Sequence, residues 1–223
     1  MRLNKYLAKA TGMSRREADI AINDRRVLVN SQIARIGQDV TPDDIVKLDD
    51  KIVALPKETT LLMLNKPIGY VSSRNPQAVN VKTVYELLPA KYHRLKSIGR
   101  LDKDSSGLLL FTDDGDLSQR LTHPKFRKTK QYIVKLDQPL SPLHQQMISD
   151  FGIELADGTS KLGLEKLNQE ATEFLVVMQE GRNRQIRRTF AALGYLVVGL
   201  HRISFGSYQL DDLESGQYKL ISN

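Results

Sequence analysis

GRLDKDSSGLLLFTDDG, residues 99 to 115, places a short charged loop directly before four consecutive large apolar residues. The apolar run from Leu108 to Phe111 lies between a glycine and an Asp-Asp-Gly turn, which is typical of a buried strand. Leu101 is apolar, so we expect it to hold the loop against the core. Arg100 and Asp102 are then fixed beside the end of a buried strand, a common position for functional residues. The alternative interpretation is a solvated turn that carries an ion pair.

The composition limits the chemistry that this chain can carry. The chain has 223 residues, no cysteine, four histidines and 40% hydrophobic residues. The absence of cysteine excludes disulfides, thiol nucleophiles and cysteine-ligated zinc. The histidines lack metal-site spacing, and no phosphate-binding or dinucleotide-binding glycine pattern is present, so we expect no cofactor and no metal. No segment approaches the roughly 18 apolar residues of a membrane span, and no apolar signal core follows the N-terminus, so we expect a cytoplasmic protein without membrane association.

The positive charge is concentrated in particular segments. The formal net charge is +7, and residues 1–35 carry eight basic side chains against three acidic ones. Residues 120–135 carry six basic side chains and no acidic one. Such uneven clusters favour binding to a nucleic acid backbone over a basic surface that serves only solubility.

The first 50 residues predict a small α/β module. Leu3, Tyr6, Leu7 and Ala10 recur at helical spacing. Ser14-Arg15-Arg16-Glu17 is a capping box that opens a second helix, where free backbone amides and arginines attract phosphate. Short strands are expected at 27–29 and 45–48.

This module resembles the small RNA-binding domain first seen in ribosomal protein S-four. The matching segments are 2–7, 14–18 and 27–30, although Arg25-Arg26 replace the usual glycine and Asn30-Ser31 replaces the usual Asn-Gly turn. The resemblance implies RNA contacts from four basic residues of the module, namely Arg2, Lys5, Arg15 and Arg16.

Residues 51–60 lack periodicity and are interpreted as a linker, so that the second domain covers 61–223. Its first strand is predicted at 61–64 and is followed by a loop at 65–70 and a turn at 74–76. Further strands are expected where Tyr132, Val134 and Leu136 alternate, and at 174–178, 195–200 and 202–205. Helices are expected from Asp116, from Ser141 (Leu143 and Met147 facing the core) and from Gly181. Strands outnumber helices, which predicts an α+β domain on a mixed, largely antiparallel sheet.

Four motifs of the second domain occur in one order: 65–70, 99–115, 130–132 and 180–188. Together they resemble the ribosomal RNA pseudouridine synthases, in the branch named after RsuA. The resemblance extends over nearly the whole chain, and Ser105 stands where threonine is common. It implies the pseudouridine synthase fold and the isomerisation of a uridine without cofactor or metal.

The resemblance also assigns roles to individual residues. Asp102 matches the catalytic aspartate, and Arg187 matches the basic residue that pairs with it, since a close guanidinium favours the charged carboxylate. Tyr132 matches the tyrosine that packs on the target base. Arg100 matches the arginine that enters the RNA stack when the uridine flips out, because a stacked base cannot reach a carboxylate. Further RNA contacts are expected from Lys130, Arg182 and Arg184.

Several questions stay open at this level. Asp102 could attack the sugar, attack the base or remove a sugar proton. The substrate could be small-subunit or large-subunit ribosomal RNA, naked or in a pre-ribosomal particle; a monomer is expected. A non-catalytic assembly factor would use the same basic surfaces. A metal-dependent phosphodiesterase is the other alternative, with Asp113, Asp114 and Asp116 as ligands, although Asp-Asp-Gly is primarily a turn signal.

Overall fold

The computed structural model describes residues 1–56, 58–74 and 80–221. Lys57 of the predicted linker and most of the turn predicted at 74–76 lie outside the described residues. The α-helices in the described part are α1 Leu3–Thr11, α2 Arg15–Asn23, α3 Gly115–Thr122, α4 Pro142–Gln146 and α5 Gln185–Ala191. Single helical turns of other types occur at Val84–Leu87, Ala90–Tyr92, Pro124–Phe126 and Met147–Phe151.

The strands of the described residues form one small sheet, one hairpin and one large sheet. The small sheet contains β1 Val27–Val29, β2 Gln32–Ile33, β3 Val46–Leu48 and β4 Lys51–Ile52. The hairpin contains β9 Ile153–Leu155 and β10 Gly158–Ser160. The large sheet contains β5 Leu61–Lys66, β6 Lys96–Ile98, β7 Ser106–Thr112, β8 Lys130–Leu136, β11 Gly163–Lys166, β12 Glu173–Met178, β13 Val197–Phe205, β14 Tyr208–Gln209 and β15 Tyr218–Ile221.

The two helices of the N-terminal module form as their sequence patterns predict. Gly12 ends α1 in the left-handed conformation, with φ of +83°, and the capping box at Ser14 and Glu17 opens α2. Both helices bury one face against the small sheet, whose order is β2-β1-β3-β4. The strand β4 pairs with β3 and was not expected, because it lies within the segment interpreted as a linker. The division of the chain at 51–60 stays a prediction, but Lys51 and Ile52 belong to the small sheet.

The large sheet has the order β11-β12-β8-β13-β7-β5-β15, with β6 on β7 and β14 on β13. Among the described pairs, only β13 and β7 run parallel, so the predicted mixed, largely antiparallel sheet is confirmed. The buried residues of β7 contribute to apolar clusters on both faces of the sheet: Leu109 and Phe111 belong to one, Leu108 and Leu110 to the other. The central position of β7 explains why its apolar run is continuous rather than alternating.

Some predicted elements differ from the structure. The strand β5 continues through Asn65 and Lys66, where a loop was expected, because both pair with β7. The two strands expected at 195–200 and 202–205 are one strand, β13, which bends at irregular pairings with β8. Leu143 was expected to face the core but is exposed, because α4 lies on the surface and only Met147 packs against the core. The helix expected from Gly181 begins at Gln185, since Arg184 has a positive φ of 47°.

The acidic triplet at 113–116 joins the two parts of the molecule. Asp116 accepts a hydrogen bond of 2.6 Å from Lys5 and lies 3.4 Å from Lys9. Asp114 caps α3, and Asp113 accepts from the backbone of Thr60. These carboxylates therefore have internal partners, and among the described residues no group of three or more His, Asp or Glu side chains is arranged to hold a metal ion.

Candidate active site

The loop that carries Asp102 is fixed from both sides. The buried Leu101 exchanges backbone hydrogen bonds with the Ser72 hydroxyl, at 2.9 and 3.1 Å. The carbonyl of Ser105 accepts a hydrogen bond of 2.6 Å from the ammonium group of Lys66, and Ser105 N–H donates to the Asp102 carbonyl. The loop therefore holds Asp102 in a defined position. This agrees with the expectation that the apolar Leu101 anchors the loop to the core. Asp102 itself is about one third exposed and lines a cleft of about 480 Å³.

Arginines from the segment before and within α5 surround this loop, in a pairing that differs from the expected one. Arg184 lies 3.6 Å from Asp102 and forms a two-pronged hydrogen bond with Asp104, at 3.1 and 3.0 Å. Arg187 lies 3.3 Å from Asp104 and donates to the backbone carbonyls of Asp104 and Val197. The expectation that Arg187 pairs with Asp102 is thus wrong in this structure. The guanidinium of Arg187 is held by Asp104 and by the carbonyl of Val197.

Asp104 is the electrostatic centre of the loop. Its partial burial works to raise its pKa, but the hydrogen bond from Arg184 and the charges of Arg187 and Arg184 outweigh that effect, so the pKa lies below its usual value. The same hydrogen bond raises the pKa of Arg184. Asp104 therefore stays ionised at neutral pH, binds both arginines and holds Arg184 beside Asp102.

The apolar wall of the cleft is formed by Tyr132 together with side chains from β12, α5 and β13. Tyr132 is buried and lies on β8, as the alternation of 132, 134 and 136 predicts. The remaining apolar lining includes Met178, Ile186 and Leu200. Apolar and aromatic side chains that share a cleft with a fixed carboxylate suit a planar base.

Two buried cations near the cleft were not identified from the sequence. Lys66 is fully buried, and burial lowers its pKa to about 8, although Asp104 and Asp102 oppose that shift. Arg202 lies on β13 with 2% of its surface exposed. The only feature of the sequence that could indicate either buried cation is its position, because each lies within or directly after an apolar run.

The remaining sequence-predicted site residues fall into different surroundings. Arg100 is exposed at the rim of the cleft, and Lys130, whose pKa is lowered by burial, donates to the carbonyl of Glu180. Arg182 lines the cleft but is held by Asp157 and Glu180. Asp157 also binds Arg188, at 2.7 Å.

In the N-terminal module, only part of the predicted RNA-binding set is free of partners. Arg2 pairs with Asp39, and Lys5 is engaged by Asp116. The side chains of Arg15 and Arg16 are exposed, and neither makes a hydrogen bond or an ion pair with another residue in the described part of the chain. The structure thus brings Asp102, Tyr132 and Arg184 together at the cleft and holds Arg187 on Asp104. Arg15 and Arg16 lie apart from them, on the N-terminal module.

Comparisons with known proteins identify the family of the chain. The family model described as RNA pseudouridylate synthase matches residues 60–192, and that of the S4 domain matches residues 1–46. The chain is 36% identical over 231 residues to the ribosomal small subunit pseudouridine synthase A of Haemophilus influenzae, covering 100% of this chain and 96% of that protein. It is 35% identical over 232 residues to an uncharacterized RNA pseudouridine synthase of Aquifex aeolicus, covering 100% of this chain and 93% of the relative.

A crystal structure of a pseudouridylate synthase superposes with a TM-score of 0.70 at 34% identity, covering 100% of this chain and 96% of that one. No helix in the described part of the chain is long and apolar enough to cross a membrane. The family resemblance seen in the sequence is confirmed. The chain therefore belongs to the RNA pseudouridylate synthase family, whose members isomerise uridine to pseudouridine, and it carries an S4 domain at its N-terminus.

Proposed function

We propose that this protein converts a specific uridine of small-subunit ribosomal RNA into pseudouridine, with Asp102 as the catalytic carboxylate. The observation that carries the proposal is the position of Asp102: a carboxylate on a fixed loop, 3.6 Å from Arg184 and in the same cleft as Tyr132. The choice of the small subunit is supported by the full-length similarity to relatives that are named as small-subunit enzymes.

The reaction exchanges one bond from the sugar for another. The bond from C1′ to N1 of uracil breaks, the base turns, and a bond from C1′ to C5 forms, while C5 loses a proton and N1 gains one. No electron leaves or enters the substrate, so side chains suffice. Asp102 acts as a carboxylate anion on each available route: attack on C1′, attack on the base, or removal of a proton from the sugar.

The neighbouring residues have supporting roles in this proposal. Tyr132 provides the face on which the extruded uracil packs, and Arg100, exposed at the rim, enters the space that the uracil leaves in the RNA stack. Arg187 acts as a positioning residue, because it holds Asp104 and thereby the loop of Asp102.

The RNA backbone is bound at some distance from the reacting base. Arg15 and Arg16 of the N-terminal module supply positive charge that is not neutralised by nearby carboxylates. Phosphate contacts of this kind give affinity and position without reading sequence. We propose that the protein acts in this way as a monomer in the cytoplasm, on ribosomal RNA or on a pre-ribosomal particle.

The test is to incubate the protein with unmodified small-subunit and large-subunit ribosomal RNA, as naked RNA and as assembly intermediates, and to map pseudouridine at single-nucleotide resolution. One new pseudouridine in the small-subunit RNA, absent with Asp102→Asn, is the expected result. A site in the large-subunit RNA would overturn the choice of subunit. RNA binding without any modification would instead support the role of an assembly factor.

A further inference from the structure

Arg202 stands out among the buried charged groups because its guanidinium has almost no protein partner. The residue is 2% exposed, and its Nε donates to the backbone carbonyl of Leu108 at 2.7 Å. Its Nη2 atom is buried, and no hydrogen-bond partner for it occurs among the described residues. A buried cation without a carboxylate or a full set of acceptors is unfavourable, so a fold keeps one only where something compensates for it.

The position of Arg202 is fixed by its neighbours. Gly107 on the parallel strand β7 approaches so closely that a side-chain carbon there would lie 2.2 Å from the backbone oxygen of Arg202. The guanidinium carbon lies 5.1 Å from the ring centre of Phe205 and 6.0 Å from that of Tyr132. Aromatic faces attract a cation, but they do not accept its N–H groups in the plane of the guanidinium. The Nη2 donor of Arg202 therefore lacks an acceptor among the described residues.

Arg202 also lies at the active cleft. It pairs with Tyr132 across β13 and β8, and it lines the same cleft as Asp102. Its charge contributes to lowering the pKa values of Lys66 and Lys130, after the larger effect of their burial. Lys130 and Arg202 therefore place positive charge in the cleft that Tyr132 lines.

We propose that Arg202 donates a hydrogen bond to a carbonyl oxygen of the flipped uracil and stabilises the negative charge that develops there. This inference rests on the proposed function and adds a residue to it. When the bond from C1′ to N1 breaks, its electron pair stays with the uracil, and the ring spreads that charge onto O2 and O4. A preorganised donor in a site without water is most effective against charge that appears only during the reaction.

A base carbonyl suits this position better than a phosphate. The guanidinium is almost fully buried and flanked by two rings, which leaves little room for a tetrahedral, hydrated anion. A planar base that packs on Tyr132 can place one carbonyl edge towards Arg202.

The test uses RNA in which the target uridine, as mapped above, is replaced by 2-thiouridine or by 4-thiouridine. Single-turnover rates of the wild type and of Arg202→Met are compared on each RNA. On unmodified RNA, the variant is expected to be slower by about 10²- to 10³-fold, the usual effect of removing one such donor. Sulfur is a poorer hydrogen-bond acceptor than oxygen. On the thio-RNA in which sulfur replaces the oxygen that Arg202 contacts, the ratio of the wild-type rate to the Arg202→Met rate is expected to fall several-fold. On the other thio-RNA, this rate ratio is expected to equal that on unmodified RNA.

Because the wild-type and variant rates are compared on the same RNA, the intrinsic effect of sulfur on bond breaking cancels from their ratio. Arg202→Lys, which keeps the charge, is measured in parallel and is expected to lie between the wild type and the methionine variant. Leu110→Ala, an apolar truncation on the other face of the sheet, controls for loss of stability and is expected to give the same ratio on all three RNAs.

Equal ratios on the three RNAs for both Arg202 variants would overturn the inference and leave Arg202 a structural residue. Wild-type activity in Arg202→Met would overturn it as well. Absence of turnover by the wild type on unmodified RNA would overturn the proposed function itself, which makes the two failures distinguishable.

Discussion

The arginines at 15–16 and those at 182–188 lie in different surroundings. Arg15 and Arg16 are exposed and make no ion pair within the described residues. The four arginines of the second segment are bound to Asp104 and Asp157, or to backbone carbonyls. Charges that are already paired contribute less to a distant phosphate than free ones, so we assign RNA affinity to the first segment and the organisation of the site to the second.

The largest effect is expected at Asp102, whose loop is bound by the arginines of the second segment. Asp102→Asn is expected to lower the rate of isomerisation by at least about 10³-fold, because an amide can neither attack carbon nor remove a proton. RNA affinity should be nearly unchanged, as phosphate contacts dominate it. Single-turnover assays and binding titrations measure the two quantities separately. Asp150→Asn, on an exposed turn outside the cleft, is the matched control, and turnover by Asp102→Asn would reject the assignment.

Asp104 tests whether the paired arginines organise the loop. Asp104→Ala releases Arg184 and Arg187 from their shared carboxylate. The reacting carboxylate is then less well placed, which is expected to lower kcat by about 10- to 100-fold with little change in RNA affinity. Asp104→Asn keeps part of the hydrogen bonding and should be less affected. If affinity fell as strongly as kcat, the second segment would itself be an RNA-binding surface and the contrast would fail.

Arg15 and Arg16 test the other half of the contrast. Replacing both with glutamine is expected to weaken RNA binding by about 10-fold or more at 0.1 M salt and to reduce the slope of log affinity against log salt by about 1 to 2. The single-turnover rate at saturating RNA should stay the same. Arg26→Gln is the control, because Arg26 is exposed in the same module but already paired with Asp49 at 2.7 and 2.6 Å. Equal losses in the two variants would show that free and paired arginines do not differ here.

The smallest effect concerns stability against acid. The hydrogen bond from Arg188 lowers the pKa of Asp157 in the folded protein. Its pairing therefore contributes stability above the ordinary pKa of an aspartate, about 3.9, and that contribution is lost as the pH falls through the lowered value. The thermal midpoint of the wild type should decrease more between pH 5 and pH 3 than that of Asp157→Asn, with a difference of no more than about 3 °C. If the thermal midpoints of the wild type and of Asp157→Asn decreased equally over this range, the ion pair would add no stability.

Much of the fold follows from local sequence patterns. The buried strand β7, the capping box before α2 and the alternation of Tyr132, Val134 and Leu136 in β8 each depend on residues within a few positions of one another. Local periodicity and capping chemistry are visible in a sequence because their causes lie in adjacent residues. The fixed position of the Asp102 loop was also recognisable, since its buried anchor, Leu101, directly adjoins Asp102.

Other features required the tertiary structure. Asn65 and Lys66 read as a loop before a proline, yet pairing with β7 makes them part of a buried strand. Leu143 has the apolar character of a core residue, but α4 packs so that it faces outwards. In each case, the neighbour that decides burial is distant in sequence, so a local pattern cannot reveal it.

By itself, the sequence determined the family, the strands β8 and β12 beside the cleft, and the presence of Asp102, Tyr132 and an arginine cluster. Only the tertiary structure decided which charged side chains form ion pairs or hydrogen bonds with one another. Arg184 and Asp104 are 80 residues apart in the chain, and Arg202 donates to a carbonyl 94 residues away. Local preferences depend on neighbouring residues, whereas the strength of an ion pair or the availability of a buried donor depends on distance and burial in three dimensions, which the packed sheet alone sets.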